Sequence, residues 1–163
     1  MRQIMLVLML TVMWSKLTIT QTNNDIFTQT IQQLQNAGNL AAHDASLAID
    51  ATNIGNSQII FNQTEAGQIF QQTFDENAGF DPSTNQATTD SRFTGNVTIL
   101  TSAYIDDSNA TFPYQYSNAT YGINAILTSP AVIYVVQVQP RSYAPWAQSD
   151  PLTYPVIYQY QGT

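Results

Sequence analysis

Ile4-Met-Leu-Val-Leu-Met-Leu-Thr-Val-Met-Trp14 is the stretch on which the fold turns. It is apolar or nearly so throughout, the length of a signal-peptide core and shorter than the roughly 20 residues of a full membrane span. Arg2 precedes it and Lys16 follows it. If Lys16 carries its ammonium back to the interface, Leu17 and Ile19 lengthen the oily surface to about 18 residues, enough for a thin bilayer. A cleaved signal needs small residues three and one positions before the cut, and Ser15-Lys-Leu-Thr-Ile-Thr20 lacks that pattern. Residues 1–20 are therefore read as an uncleaved anchor. The positive charge at its start predicts a cytoplasmic N-terminus and an exported remainder, residues 21–163. Cleavage near Gln21, releasing a secreted product, is the alternative.

Downstream of the anchor, Phe27, Ile31, Leu34, Gly38, Ala41, Ala45 and Ala48 recur at steps of three or four, which places them on one helical face. They predict a stalk helix over 21–52 that continues the anchor and leads the exported domain. Leu40, Leu47 and Ile54 form a second row, and the small residues of the first row let a neighbouring helix or a sheet approach closely. The face is either the core of the domain or, in part, a contact with other subunits.

Asn53, Gly55 and Asn56 interrupt the pattern, and Gln58-Ile-Ile-Phe61 reads as a short extended segment. A second, shorter helix then begins with Thr64 as N-cap and Glu65 in its first turn, puts Ala66, Ile69, Phe70 and Phe74 on one face, and stops at Gly79. Ser83 to Ser91 reads as a surface loop. Beyond Arg92 the period becomes two. Val97, Ile99, Ala103 and Ile105 predict one side of a strand, with a turn at Asp106-Asp-Ser-Asn109, and Phe112–Tyr116 and Tyr121–Leu127 continue the pattern. Ala131–Val138 is apolar on both sides and so predicts the central strand. Pro140, Pro145, Pro151 and Pro155 punctuate a tail in which Val156–Tyr160 predicts an edge strand. Two helices followed by consecutive strands define an α+β fold with an antiparallel sheet packed on helix.

Composition narrows the function classes. With 163 residues the chain holds one modest domain beyond its anchor. Charged residues are 9% of it, so Gln, Asn, Thr and Ser build the polar surface, a mixture suited to the cell exterior. The net charge of -7 and the scatter of Arg2, Lys16, Arg92 and Arg141 argue against nucleic acid as a partner. Without cysteine there are no disulfides, thiolate nucleophiles or Cys-bound zinc. Asn62, Asn96, Asn109 and Asn118 each begin an N-glycosylation triplet, which a chain rich in Asn and Thr produces by chance and which would carry no sugar in a bacterium.

Residues that could carry chemistry are few. His43 is the only histidine, beside Asp44 and Ser46. Neighbours on a helix diverge by about 100°, so His43 and Asp44 are expected not to pair as base and orienter, and the histidine reads as structural. Asp75, Glu76, Asn77 and Asp81, and separately Asp106 and Asp107, offer oxygen ligands of the kind calcium takes, without EF-hand spacing; solvated caps and turns account for them. Tyr104, Tyr114, Tyr116, Tyr121, Tyr134, Tyr143, Tyr154, Tyr158 and Tyr160 suit strand packing as well as a ligand groove. No catalytic, cofactor-binding or metal-binding residue is assigned.

Gly38-Asn-Leu-Ala-Ala-His-Asp-Ala-Ser-Leu-Ala-Ile-Asp50, Ile60-Phe-Asn62, Ala66 to Phe74, Asn77-Ala-Gly-Phe-Asp81, Ser129-Pro-Ala-Val-Ile-Tyr-Val-Val136 and Pro140-Arg141 carry a resemblance. The chain resembles small membrane-anchored proteins encoded with tight-adherence (Tad-type) pilus machinery in Firmicutes. The resemblance implies a minor-pilin-like, non-enzymatic component of a pilus or secretion apparatus on a Gram-positive cell surface, with protein partners in that assembly. Type IV pilins have a leader ending in Gly and a Glu five residues into the mature helix. Here no Gly precedes Gly38 and no Glu precedes Glu65, which argues against prepilin-peptidase processing. The alternative function is a secreted module that binds a cell-wall or extracellular ligand after signal cleavage.

Overall fold

The computed structural model describes residues 2–55, 58–142 and 150–162. Met1, Asn56, Tyr143 and Pro145, which enter the sequence reading, lie outside them, as do the side chains of Arg2, Asn53 and Ile54. The elements run α1 (Arg2–Ser46), α2 (Ala51–Ile54), α3 (Gln63–Ala78), β1 (Phe80–Asp81), β2 (Gln86–Ala87), β3 (Phe93–Ile105), β4 (Tyr114–Asn118), β5 (Ile123–Leu127), β6 (Ala131–Pro140) and β7 (Leu152–Gln159). Five strands form one antiparallel sheet in the order β1-β2-β3-β6-β7, and β4 and β5 form a separate hairpin. The fold is α+β, as expected.

Anchor and stalk are one helix of 45 residues. Among the described residues its first buried side chain is Thr30, and the apolar row joins the core only from Leu34 onward, through Ala41 and Ala45 with Ala37 and Ala42 beside them. Phe27 remains exposed because the body begins beyond it. The helix ends at Ser46, six residues before the expected limit of 52. The chain must straighten there: Ile49 bridges to Phe61, Asp50 N–H donates to the Ile60 carbonyl and Asn62 N–H to that of Ala48. Leu40 and Leu47, the second row, stay exposed.

Asn62 rather than Thr64 caps α3. Its carboxamide oxygen accepts from Glu65 N–H at 3.3 Å while its nitrogen donates to the Glu65 carboxylate at 3.0 Å, a reciprocal cap that Thr64, already inside the helix, cannot make. Gly79 ends the helix at φ 81°, the left-handed conformation that glycine adopts without strain. Part of the expected loop between Ser83 and Ser91 is the short strand β2, and Ser91 itself is buried, its hydroxyl accepting from Phe93 N–H.

The sheet is covered on both faces. Val132, Tyr134, Val136 and Val138 of β6 face α1 and α3, whereas Ala131, Ile133 and Val135 face the β4-β5 hairpin with Ile123 and Leu127. This is why β6 is apolar on alternate and intervening positions alike. β3 departs from a single alternation. Val97 and Ile99 sit on the helix side, yet Ala103 and Ile105 sit on the hairpin side with Leu100. The register slips between Ile99 and Thr101, opposite Val136 and Val135, and the extra residue exchanges the two faces. The edge strand β7 begins at Leu152, earlier than expected.

Small residues do let α1 lie close to the sheet. A Cβ placed on Gly38 would stand 2.8 Å from Val156 Cγ2 and 3.4 Å from the Tyr154 ring. Gly38→Ala therefore sets a helix-propensity gain of up to about 1 kcal/mol against an overpacking cost of about 1–3 kcal/mol. Val156 is buried and stiff at χ1, so the cost wins. Urea denaturation should show a net loss, and Gly38→Ala with Val156→Ala should lose less than the sum of the two single changes.

Candidate functional site

The most prominent surface feature is the start of α1. Ile4, Met5, Leu6, Val7, Leu8, Met9, Leu10, Val12, Met13, Trp14, Leu17 and Ile19 are each 40–74% exposed. The helix is long and apolar enough to cross a membrane, and its apolar window is not buried in the body at all. Thr11, Ser15 and Thr18 donate their hydroxyls back to the carbonyls of Val7, Thr11 and Trp14, so these polar groups are satisfied within the helix.

His43 and Asp44 do meet, contrary to the expectation from helix geometry. His43 Nδ1 lies 2.9 Å from Asp44 Oδ1. The pair sits in the last turn of α1, where both side chains lean toward the body: the imidazole stands edge-on to Tyr158 at 5.1 Å, and Asp44 Oδ2 accepts from Thr73 Oγ1 at 3.3 Å. Ser46 does not complete a triad. It is fully buried and donates its hydroxyl to the His43 carbonyl. The arrangement ties α1 to α3 and β7.

The acidic clusters are occupied by their own chain. Asp106 Oδ2 accepts from Phe61 N–H, and its Oδ1 from the Ser108 amide and hydroxyl, while Asp107 Oδ2 accepts from Ile59 N–H. The turn thereby staples residues 59–61 beside β3. Asp75 is buried at the end of α3 with both carboxylate oxygens 2.9 Å from Gln71 Nε2. Burial pushes its pKa up, the Gln71 hydrogen bonds work against that, and the Asp81 charge adds to it. Asp81 is held below the usual carboxylate range by the Ser83 hydroxyl and amide. No group of three metal-ligating side chains occurs among the described residues.

Asp75 makes a pH prediction. Its native pKa lies above the ordinary 3.8, so the native state holds the proton more tightly than the unfolded chain. Stability from this group is present below about 3.8 and is lost as pH rises through the native value. Asp75→Asn should remove that decline and raise the urea midpoint at neutral pH relative to the parent.

The described tyrosines, apart from the exposed Tyr114, pack on the two core clusters. Tyr134 stacks on Phe70 at 3.7 Å, and its hydroxyl meets that of Tyr104 at 2.8 Å, which in turn donates to the Gln63 carbonyl. Burial, with the Tyr104 hydroxyl second, pushes the Tyr134 phenol far above its ordinary range. Tyr154, Tyr158 and Tyr160 pack on the same cluster, and Tyr116 and Tyr121 on the hairpin side. Three of the four sequon asparagines, Asn62, Asn109 and Asn118, spend their carboxamides on caps and turns, and Asn96 lies exposed in β3.

A groove of about 530 Å³, unmarked in the sequence, lies between α1, the end of α3 and the approach to β3. Gln29, Gln32, Gln33, Asn36, Ala37, Leu40, Asn77 and Arg92 line it. Gln and Asn on a helix read as ordinary solvated surface, and no periodicity marks residues drawn from three separate segments. Comparison with known proteins finds no matching family model, curated protein or solved structure.

Proposed function

We propose that the protein is a non-enzymatic, single-pass membrane protein whose α+β body stands outside the cell as a minor-pilin-like component of a pilus or secretion apparatus. The observation that carries the membrane part is the apolar first half of α1, exposed along its whole length and continuous with the helix that enters the core. Water penalises that surface strongly, and lipid removes the penalty. The positive start before the span supports the cytoplasmic N-terminus. The pilus assignment rests on the sequence resemblance. Helical backbone through Ser15–Thr20 supports retention of the anchor over cleavage, since a signal-peptidase site calls for small residues that this stretch lacks.

The absence of cysteine allows a direct test of orientation. A single cysteine introduced at the exposed Ser83 should react with a membrane-impermeant maleimide in intact cells, with the protein in the membrane pellet. Labelling only after lysis would overturn the orientation, and recovery in the soluble fraction would overturn the anchor. Pull-down of the native protein should bring down pilus or secretion components, and their absence under crosslinking would sink the assembly role.

A further inference from the structure

We infer that the outer edge of β3, with a groove beside it on α3, takes an extended peptide strand of a partner protein that is uncharged where it pairs. β3 carries a ladder to β6 along its length, whereas on the other side β2 pairs with it only at Asn96. At one end of that side Val97 N–H donates to the Asn85 carbonyl, and at the far end of the strand Asn109 Nδ2 donates to the Tyr104 carbonyl. Between them, from Thr98 to Ala103, no backbone group bonds to any described residue outside β6. Alternate residues of a strand turn their N–H and C=O to the same side, so about three of these six offer free groups. The edge is open as well as unpaired. No residue from Thr98 to Ile105 is buried, whereas every residue from Ala131 to Val136 of β6 is.

Free N–H and C=O groups at strand spacing are matched by an extended main chain. The groove selects further. It measures about 490 Å³ and is lined by Thr64, Gly67, Gln68, Gln71 and Gln72 of α3 and by Pro82. A Cβ on Gly67 would lie 3.5 Å from the Tyr104 hydroxyl, and Pro82 stands in the turn before β2, which meets β3 at Asn96. The groove therefore flanks the free stretch on its helix side, where alternate side chains of an added strand fall. Neither the lining nor Val97–Ile105 contains a charged residue, so a charge on the incoming strand would lose water without gaining a counter-ion. Val97–Ile105 also lacks proline, whereas the sheet edge at β7 has Pro155, which removes a donor from its row. The register slip beside Leu100 twists the edge and keeps the added strand short. A second copy fits less well. β3 starts beside Gln29, through Arg92, and ends beside residues 59–61, past the end of α1, so it runs in the direction of α1. On the membrane reading above, copies in one bilayer present β3 in one direction, and antiparallel pairing between them is out of reach. Peptide binding itself does not rest on that reading.

The test titrates the full chain, isotope-labelled in detergent micelles, with N-acetyl-Thr-Val-Thr-Val-Thr-amide and follows the backbone amide NMR signals. Those of Ile99 to Ser102 should shift saturably in the millimolar range, and their hydrogen exchange should slow. The same peptide N-methylated at every residue has no main-chain N–H to give and should bind about tenfold more weakly. Gly67→Leu puts a side chain in the groove at a position where the helix favours leucine over glycine. It should lose a similar factor in binding while unfolding at the same or higher urea concentration. Thr98→Lys with Ser102→Lys, both at exposed positions, should weaken binding with an unchanged circular dichroism spectrum. No saturable shift, equal binding of the methylated peptide, undiminished binding by both variants, or shifts confined to β7 or the β4-β5 hairpin would each overturn the inference. Shifts of the same amides on raising the protein concentration alone would overturn the assignment to a partner and give the edge to a second copy.

Discussion

A chain that starts at Gln21 should leave the membrane fraction completely and keep its fold. The twelve large apolar side chains between Ile4 and Ile19 make up the oily surface of the segment, and all are exposed. Transferring them to lipid is favourable by on the order of 20 kcal/mol before the smaller cost of its hydroxyls and Lys16 is set against it. Removing that term leaves a body whose polar surface has little reason to stay at the bilayer. The fold should be indifferent, because no described side chain before Thr30 is buried, and the urea-unfolding free energy should change by less than about 0.5 kcal/mol. Flotation of both forms with vesicles, together with denaturation of the shortened one, checks the two halves. A shortened chain that still floats would show that the body binds lipid by itself. One that fails to fold would show that the segment belongs to the core.

The largest loss of stability should come from Phe70→Ala. Phe70 is fully buried at the centre of an aromatic row: its ring is 3.7 Å from Tyr134 and 5.9 Å from Phe74, which continues through Phe80 to Phe93. The row joins α3 to β6, β1 and β3, so the cavity would open between layers that cannot collapse onto one another without breaking the sheet. Truncation of a buried phenylalanine costs about 3–5 kcal/mol, a large share of the 5–15 kcal/mol that holds a typical domain folded. With no disulfide to compensate, the variant should unfold at markedly lower urea or fail to accumulate. Phe27→Ala is the control. That ring stands on the same face of α1 but outside the body, and its loss should cost less than about 0.5 kcal/mol.

The contrast between Phe27 and Phe70 marks the reach of the sequence. Both sit on well-formed helical stripes, and local pattern cannot tell a stripe that meets a partner from one that runs past the end of the body. The pairing of His43 with Asp44 was hidden for a related reason. Backbone geometry separates the two Cα–Cβ directions, but rotamer choice at the last turn of α1, held by Tyr158 and Thr73, brings the side chains together. The carboxamide groove left no trace either, since Gln33, Asn77 and Arg92 are far apart along the chain and individually commonplace.

The sequence by itself determined the oily start, the order of two main helices followed by strands, the helix stop at Gly79 and the central place of Ala131–Val138. Each of these follows from local hydrophobic period or backbone preference, which neighbouring residues settle among themselves. Tertiary structure alone decided where α1 enters the core, which way Ala103 and Ile105 point after the slip beside Leu100, and which polar groups converge on Arg92. Those outcomes depend on contacts between segments distant in sequence, whose energies no local pattern contains.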